Sequence, residues 1–504
     1  MKGFGEKHKN PKKNKSNSDE QTNKDQILSR AFKQHSQGNL KEAKKYYENF
    51  INKGFIDHRV FSNYGMILLN FGELEKAEIF TRKAIELNPN YAMAYSNLGG
   101  IIKDLGKLQE AELSTRKAIE LKPNFADAYY SMGNILRDLG KLQEAELSQR
   151  KAIELKPNFA KAYETLGLVL LEKNEYDLSL IYFSKSAQLL NDQIENKSND
   201  QRFKIISKAK IEHDIEQFEY LASKNYDIKK FTDLALLYKE VASEIKWPSD
   251  TSFINLNNKY QSLLKDSYNR ILHKLESPKL KEEVINNSLN IEQITNDYFN
   301  HEFGLTYIDN FLSSKAIESL RDFLLESTIW FNVKQNGYVG AFLREGFANP
   351  LIIQIADELR TKFPKIFKNY PINHIWAFKY DSRAKNKKSS LRGINVHADF
   401  AAINVNFWIT PKKANLNPKS GGLIVYDVGA PKKWDFDTFN NDEKRIREEL
   451  KKSKGNTKVI PYNENRAVIF NSNLFHETDS YEFKEGYENR RINVTLLFGR
   501  RKDN

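Results

Sequence analysis

A 34-residue period governs the first third of this chain. Residues 92–125, AMAYSNLGGIIKDLGKLQEAELSTRKAIELKPNF, and residues 126–159, ADAYYSMGNILRDLGKLQEAELSQRKAIELKPNF, are identical at 26 of 34 positions. A chain that repeats at this spacing folds as stacked supersecondary units, because one unit cannot bury its own apolar face. Each unit carries a large apolar residue, then small ones, then a closing proline: Tyr95, Gly99, Ala111, Ala118 and Pro123, followed by Tyr129, Gly133, Ala145, Ala152 and Pro157. The small residues let two helices approach closely, the DLGKL segment turns the chain, and KPN ends the second helix. The unit before, 58–91, keeps Phe61, Gly65, Ala77, Ala84 and Pro89. The unit after, 160–193, keeps Tyr163 and Gly167 but has Ser179, Ser186 and Asn191 at the later positions. A worn copy fits 24–57 through Ala31, Gly38 and Ala43.

This pattern resembles the tetratricopeptide repeat family. The resemblance implies an all-α solenoid over 24–193, about five helical hairpins with an inner surface free for a protein or peptide partner. In sugar-transferring relatives of this repeat class, a ladder of asparagines on the first helices grips peptide backbone. Asn63 and Asn97 would match it, and Ser131 breaks it. From 194 to 280 the pattern stays helical without the period, which reads as a helical bridge, and residues 281–504 read as a separate domain.

Composition limits the chemistry. The chain has no cysteine, so disulfides, thiolate zinc sites, iron–sulfur clusters and cysteine nucleophiles are excluded, and any metal must be held by nitrogen and oxygen. Its net charge of +13 would suit an acidic partner, but part of the excess lies in a basic tail, residues 1–23, read as disordered. Charge alone therefore does not make nucleic acid the partner. The start of the chain lacks the apolar stretch of a secretory signal, and no run of about 18 apolar residues occurs. A cytoplasmic protein with no membrane span is the expectation.

After residue 300 the pattern changes. LTYIDNFLSS begins as a strand and hands over to a helix, AIESLRDFLLES, with Ser313 or Ser314 near its start. Strands are then expected at 374–381, 393–400, 402–410, 421–428, 466–472 and 491–499, the spacing of a sandwich or jelly roll. Strand alternation would put His397 and Asp399 on one face, with His476 arriving from another strand. Two imidazoles and one carboxylate on a triangular face form the ligand set of non-haem Fe(II) oxygenases. Asn404 and Asn406 have the opposite parity to His397 and would face away if one strand ran from 393 to 410. A bend near Phe400-Ala401 would reset that count.

A lone His-x-Asp is weak evidence, but an ordered series is present. Tyr380 comes first, then HADFAAINVNFWITP, SGGLIVYD, AVIFNSNLFHETD and YENRRINVTLLFG. The series resembles the 2-oxoglutarate and Fe(II) dependent dioxygenase superfamily, in particular bacterial members with tetratricopeptide repeats in front. The resemblance covers about 300–504 and implies a double-stranded β-helix, or jelly roll, with flanking helices. It implies that His397, Asp399 and His476 are the iron ligands. It also implies that Arg491, with Arg490 as runner-up, receives the distal carboxylate of 2-oxoglutarate, and that Tyr380 can hydrogen-bond the cosubstrate. A guanidinium suits a carboxylate through two parallel hydrogen bonds. In one plant subgroup a serine stands two places after the arginine; here that position is Asn493, which leaves the second contact open. Asp399 argues against the halogenase variant, so the implied reaction is hydroxylation by dioxygen.

The expected function is thus a 2-oxoglutarate-dependent dioxygenase whose repeats recruit a protein or peptide substrate. Catalytic groups beyond the metal site are not expected. The alternative is a non-catalytic interaction scaffold with an inactive oxygenase-like domain. A sugar transferase would need a nucleotide-binding α/β domain after the repeats, and no Gly-rich strand-to-helix turn of that kind is present.

Overall fold

A computed structural model describes residues 14–192, 201–249, 252–334, 336–381, 393–453 and 455–501, with side chains from residue 21 onward. Most of the expected basic tail lies outside these residues, although a helix already starts at Asn14. The chain divides into two compact units, 1–157 and 158–504.

The first unit is built of paired helices: α1 (Asn14–Ser36), α2 (Leu40–Asn52), α3 (His58–Asn70), α4 (Leu74–Leu87), α5 (Ala92–Asp104), α6 (Leu108–Leu121), α7 (Ala126–Asp138) and α8 (Leu142–Leu155). It is the helical solenoid that the period demands. Within the pairs, Ala77, Ala84, Ala111, Ala118, Ala145 and Ala152 are wholly buried. At Gly99 the approach is so close that a Cβ would lie 2.1 Å from Thr115 Oγ1. Gly99→Leu should therefore force α5 off α6 and destabilise the pair by about 1–3 kcal/mol, the range for overpacking. Faster amide hydrogen exchange in α5 and α6 would report it; unchanged exchange would refute the packing argument. The two members of the expected asparagine ladder are engaged internally: Asn63 Nδ2 donates to Tyr47 Oη (3.4 Å) and Asn97 Nδ2 to Ser62 Oγ (2.9 Å).

The second unit opens with the worn repeat, α9 (Ala160–Glu172) and α10 (Tyr176–Asp192). Serines replace its alanines without leaving buried hydroxyls unmatched, since Ser179 Oγ donates to Gly167 O (2.7 Å) and Ser186 Oγ to Ala160 O (3.0 Å). There follow β1 (Ile205–Ser207), α11 (Lys208–Ser223), α12 (Ile228–Glu244), β2 (Phe253–Asn255), α13 (Asn258–Leu264) and α14 (Ile291–Asn300). The remaining elements are β3 (Leu305–Ile308), α15 (Ser314–Glu326), β4 (Asn332–Val333), β5 (Tyr338–Phe342), α16 (Pro350–Lys362), α17 (Pro364–Phe367), β6 (Ile372–Tyr380), β7 (Ile403–Trp408), β8 (Leu423–Gly429), α18 (Phe436–Asn440), α19 (Glu443–Ser453), β9 (Thr457–Ile460), β10 (Ala467–Asn471), β11 (Leu474–Thr478) and β12 (Ile492–Phe498). Ser313 caps α15 by accepting from Ala316 N. No described helix is long and apolar enough to cross a membrane.

The boundaries expected at 193 and 280 do not coincide with breaks in packing. One apolar core runs from Leu168, Leu171 and Phe183 through Val284, Leu320 and Leu351 to Ile492 and Phe498. The reason is chemical: α11 is bound to the β region by side chains, with Gln217 Nε2 donating to Leu325 O (3.2 Å) and Ser327 O (2.9 Å).

Two antiparallel sheets carry the site. The larger has the order β3-β10-β7-β12-β6-β5-β4, the smaller β11-β8-β9. Alternation assigns every strand two faces. On the large sheet Ile492, Val494, Leu496, Val405, Phe407, Ile375 and Ile469 join the core under α15 and α16. The opposite face presents Phe378, Tyr380, Trp408, Val468 and Phe470, which cluster with Leu423, Val425, Ile460 and Leu474 of the small sheet. The two sheets therefore face each other across a second apolar layer. Segment 393–400 is not the strand expected there; it carries one isolated bridge, His397 to His476, and β7 begins only at Ile403.

Candidate metal centre

His397 and His476 are held opposite each other by the backbone. His397 N donates to His476 O (3.0 Å) and His476 N to His397 O (2.8 Å), a reciprocal antiparallel pair. Asp399 N is fixed on Ser472 O (3.1 Å) and Ala398 N on Phe439 O (2.9 Å), which bends the chain past the end of the small sheet. Candidate ligand atoms of His397, Asp399 and His476 all lie within 4.8 Å of one another. Their geometry follows from tertiary bonds rather than from the strand alternation expected of 393–400.

The two rings are oriented alike. His397 Nδ1 contacts Asn395 O (2.8 Å) and His476 Nδ1 contacts Leu474 O (3.0 Å). A carbonyl can only accept, so each Nδ1 carries the proton and each Nε2 keeps its lone pair. Both Nε2 atoms face Asp399, at 3.7 Å from Oδ1 for His397 and 3.5 Å from Oδ2 for His476. Burial and the neighbouring His476 push His397 down to about 4, so its ring is neutral at neutral pH, the form that ligates. Burial alone would raise the Asp399 carboxyl, but His476, His397 and Asn404 outweigh it and hold the group below its ordinary value. Asn404 Nδ2 donates to Asp399 Oδ2 at 2.6 Å. Two lone pairs and one carboxylate converging on one point can hold a divalent cation with nitrogen and oxygen ligands.

The three groups border a cavity of about 600 Å³ between the sheets, which also receives Tyr380, Asn404, Asn406, Arg491, Asn493 and Thr495. Arg491 is 2% exposed. Its Nε donates to Gly421 O (2.7 Å) and Nη2 to Gly422 O (3.1 Å), with Asn493 Oδ1 at 3.5 Å from Nη1. Among the described residues it pairs with no carboxylate. One edge of its fork is thus already spent on carbonyls, and the Nη1 end remains for a ligand. Its neighbour Arg490 points to the other side, with Nε on Glu216 Oε2 (2.7 Å) of α11. Tyr380 lines the cavity and packs as well: its ring stacks on Tyr338 (5.3 Å) and lies 4.5 Å from the Arg491 guanidinium carbon. Burial pushes the Tyr380 phenol up, opposed by Arg491.

Asn404 and Asn406 belong to the site, contrary to the parity count. The chain bends between Phe400 and Ala402, so β7 starts a fresh alternation and turns both amides toward the cavity. Their Oδ1 atoms are buried without a hydrogen-bond partner. The signal for them was polar residues at alternate places in the apolar strands INVNFW and INVTLLF.

Residues 58–91, 92–125 and 126–159 each match the tetratricopeptide repeat model. No curated protein matches the chain. Among solved structures, a crystal structure of MamA is similar over 32% of this chain and 94% of its own, at 26% identity and a TM-score of 0.28. MamA from Desulfovibrio magneticus RS-1 is similar over 34% and 96%, at 22% identity and a TM-score of 0.30. A thermophilic TPR protein of Thermus thermophilus is similar over 34% and 94%, at 17% identity and a TM-score of 0.31. The matched repeats are a protein-interaction architecture, and binding of a protein partner follows from them.

Proposed function

We propose that this chain is a 2-oxoglutarate and Fe(II) dependent dioxygenase, a hydroxylase whose tetratricopeptide repeats recruit a protein or peptide substrate. In this reading the two facing sheets form a double-stranded β-helix, with His397, Asp399 and His476 as iron ligands and Arg491 as the seat of the cosubstrate's distal carboxylate. The observation that carries it is the juxtaposition of a converging His, Asp and His triad with a buried guanidinium that lacks a carboxylate, in one cavity. The residues fit such a pair of groups: both Nε2 atoms are free to ligate, and Asn404 and Asn406 keep buried Oδ1 acceptors without partners.

Fe(II) with 2-oxoglutarate would supply the oxidation, in which dioxygen converts a substrate C–H to C–OH while 2-oxoglutarate leaves as succinate and carbon dioxide. The chain's part is positional. The carbonyls of Asn395 and Leu474 hold both imidazoles in the ligating tautomer. Asn404 fixes one carboxylate oxygen of Asp399 and lowers its freedom to rotate. The Gly421 and Gly422 carbonyls hold Arg491 in place, and Tyr380 closes one side of its guanidinium. The aromatic layer between the sheets excludes water from the site.

Anaerobic titration of the protein with Fe(II) and 2-oxoglutarate tests this reading through the weak visible charge-transfer band of the chelate. A band at stoichiometric iron, with succinate formed on admitting air, supports it. No band in the folded protein and no succinate would leave the scaffold reading, in which residues 58–159 bind a partner and the β region is inactive. Arg491→Leu should leave Fe(II) binding intact and weaken 2-oxoglutarate binding about 10- to 100-fold, the loss expected for one charge-assisted contact of about 1.5–3 kcal/mol. Unchanged 2-oxoglutarate affinity in that variant would remove Arg491 from the site.

A further inference from the structure

The large sheet gives the cavity two chemically different halves. One half is polar: Arg491, Asn493 and Thr495 of the β12 segment and Asn404 and Asn406 of β7. The other is aromatic: Tyr338 and Phe342 of β5 with Trp376, Phe378 and Tyr380 of β6. The aromatic rings form a continuous wall, with Tyr338 and Phe378 edge to face at 5.2 Å, Phe342 and Trp376 at 6.2 Å, and Trp376 and Phe378 at 6.3 Å. Gly340 makes the wall possible, since a Cβ there would lie 2.9 Å from the Phe378 ring and 3.0 Å from that of Phe342.

At the far edge of this wall lies Lys334, in the turn between β4 and β5. Its strand is three places from β12 in the sheet, about 14 Å at ordinary strand spacing. Lys334 lines the same cavity, with Nζ 5.5 Å from the Phe342 ring centre and 6.0 Å from that of Phe378. It makes no ion pair among the described residues. The cavity's exposed acids are already answered: Arg447 donates to Glu477 (Nη1 to Oε1 2.8 Å, Nη2 to Oε2 2.6 Å) and to Glu443 (Nη2 to Oε1 3.1 Å). Asp399 faces the two imidazoles. Two cations in the cavity therefore lack an anion, Arg491 and Lys334. Burial holds the Lys334 ammonium below its ordinary range, a cost that an anionic ligand would offset.

We infer that the molecule oxidised here is an acid, its carboxylate or phosphate seated on Lys334 and its hydrocarbon lying against the Phe342, Trp376 and Phe378 wall. The inference rests on the dioxygenase reading, which assigns Arg491 to 2-oxoglutarate and so leaves Lys334 as the cation for the substrate. The distance between the two cations allows both anions at once, with the metal triad between the sheets. The aromatic wall adds affinity for the C–H bearing part without fixing its chemistry, as flat apolar surfaces do.

Saturation-transfer NMR on the protein loaded with Mn(II) and 2-oxoglutarate tests this, using matched fragments: phenylpropionate, phenylpropionamide, phenethyl phosphate and phenethylamine. Loading fills the Arg491 site, so further anion binding reports a second seat. The anionic fragments are expected to bind and the amide and amine not to, with binding at least tenfold weaker in Lys334→Met and the amine preferred in Lys334→Glu. Preference for phenylpropionate over phenethyl phosphate identifies the anion as a carboxylate, and the reverse as a phosphate. The Fe(II) and 2-oxoglutarate charge-transfer band is read on the same three proteins. A normal band with no anion preference, or with anion binding unchanged in Lys334→Met, overturns this inference alone. Absence of the band in the wild type overturns the dioxygenase reading and the inference with it.

Discussion

His476→Ala is expected to lower Fe(II) affinity by more than about 100-fold, beyond the 10- to 100-fold that loss of an outer hydrogen-bonding partner costs. The argument is geometric. His476 supplies one of only three candidate ligand atoms, its ring is locked by Leu474 O, and the only other imidazole at the point is His397. Asp399→Ala should behave like His476→Ala. Asn404→Ala should fall in between, losing about 10- to 100-fold, because it removes a partner that orients Asp399 but no ligand. The measurement is competitive titration of metal-free protein with Fe(II) under nitrogen, with near-ultraviolet circular dichroism as the check on folding. Equal affinity in wild type and a folded His476→Ala variant would mean that this triad holds no metal. An Asn404 variant as weak as the histidine variant would instead make the amide a ligand or a support for the whole segment.

The repeats were fully legible because every constraint on them is local: a period of 34, small residues at fixed places and glycine turns. The triad was legible for a different reason, the order of His397, Asp399, His476 and Arg491 along the chain, and its physical basis proved different from the one the pattern suggested. Segment 393–400 alternates like a strand, yet its backbone partners are His476, Phe439 and Ser472, which no local pattern announces. That misreading hid Asn404 and Asn406, since their parity counts from Ile403 and not from His397. Lys334 was invisible as well, because a lysine in a short turn reads as solvated until the sheet order brings β4 within reach of β6. The breaks expected at 193 and 280 failed in the same way. Loss of a repeat period marks a change of local structure, whereas a domain boundary depends on non-local contacts such as those of Gln217 with Leu325 and Ser327.

The second large effect lies in that non-local packing. Asp214→Ala should destabilise residues 158–504 by about 3–5 kcal/mol, the cost of leaving a buried charge without its partner. Lys210, His213 and Asp214 of α11 are 2%, 0% and 5% exposed. Asp214 accepts from Lys210 Nζ through one oxygen and from His213 Nδ1 (3.0 Å) through the other, so alanine strands an ammonium and a ring N–H together. All five tryptophans of the chain, Trp247, Trp330, Trp376, Trp408 and Trp434, lie in this unit, so urea unfolding followed by their fluorescence reads it alone. Replacing both partners, Lys210→Met with Asp214→Leu, should recover most of the loss, because no unpaired charge is then buried. A double variant as weak as the single one would show that the pair contributes net stability rather than only balancing its own desolvation. The same cluster sets a pH dependence. Burial, with Lys379, Arg490 and Lys210 nearby, holds His213 well below the usual histidine range. Below about pH 6.5 the unfolded chain binds a proton that the folded chain refuses, so stability present above that pH is lost as pH falls, by about 1.4 kcal/mol per unit. The stability difference between wild type and His213→Leu should therefore shrink by that slope between about pH 6.5 and pH 5.5. A difference independent of pH would mean that His213 takes up its proton inside the fold, with Asp214 as its counter-ion.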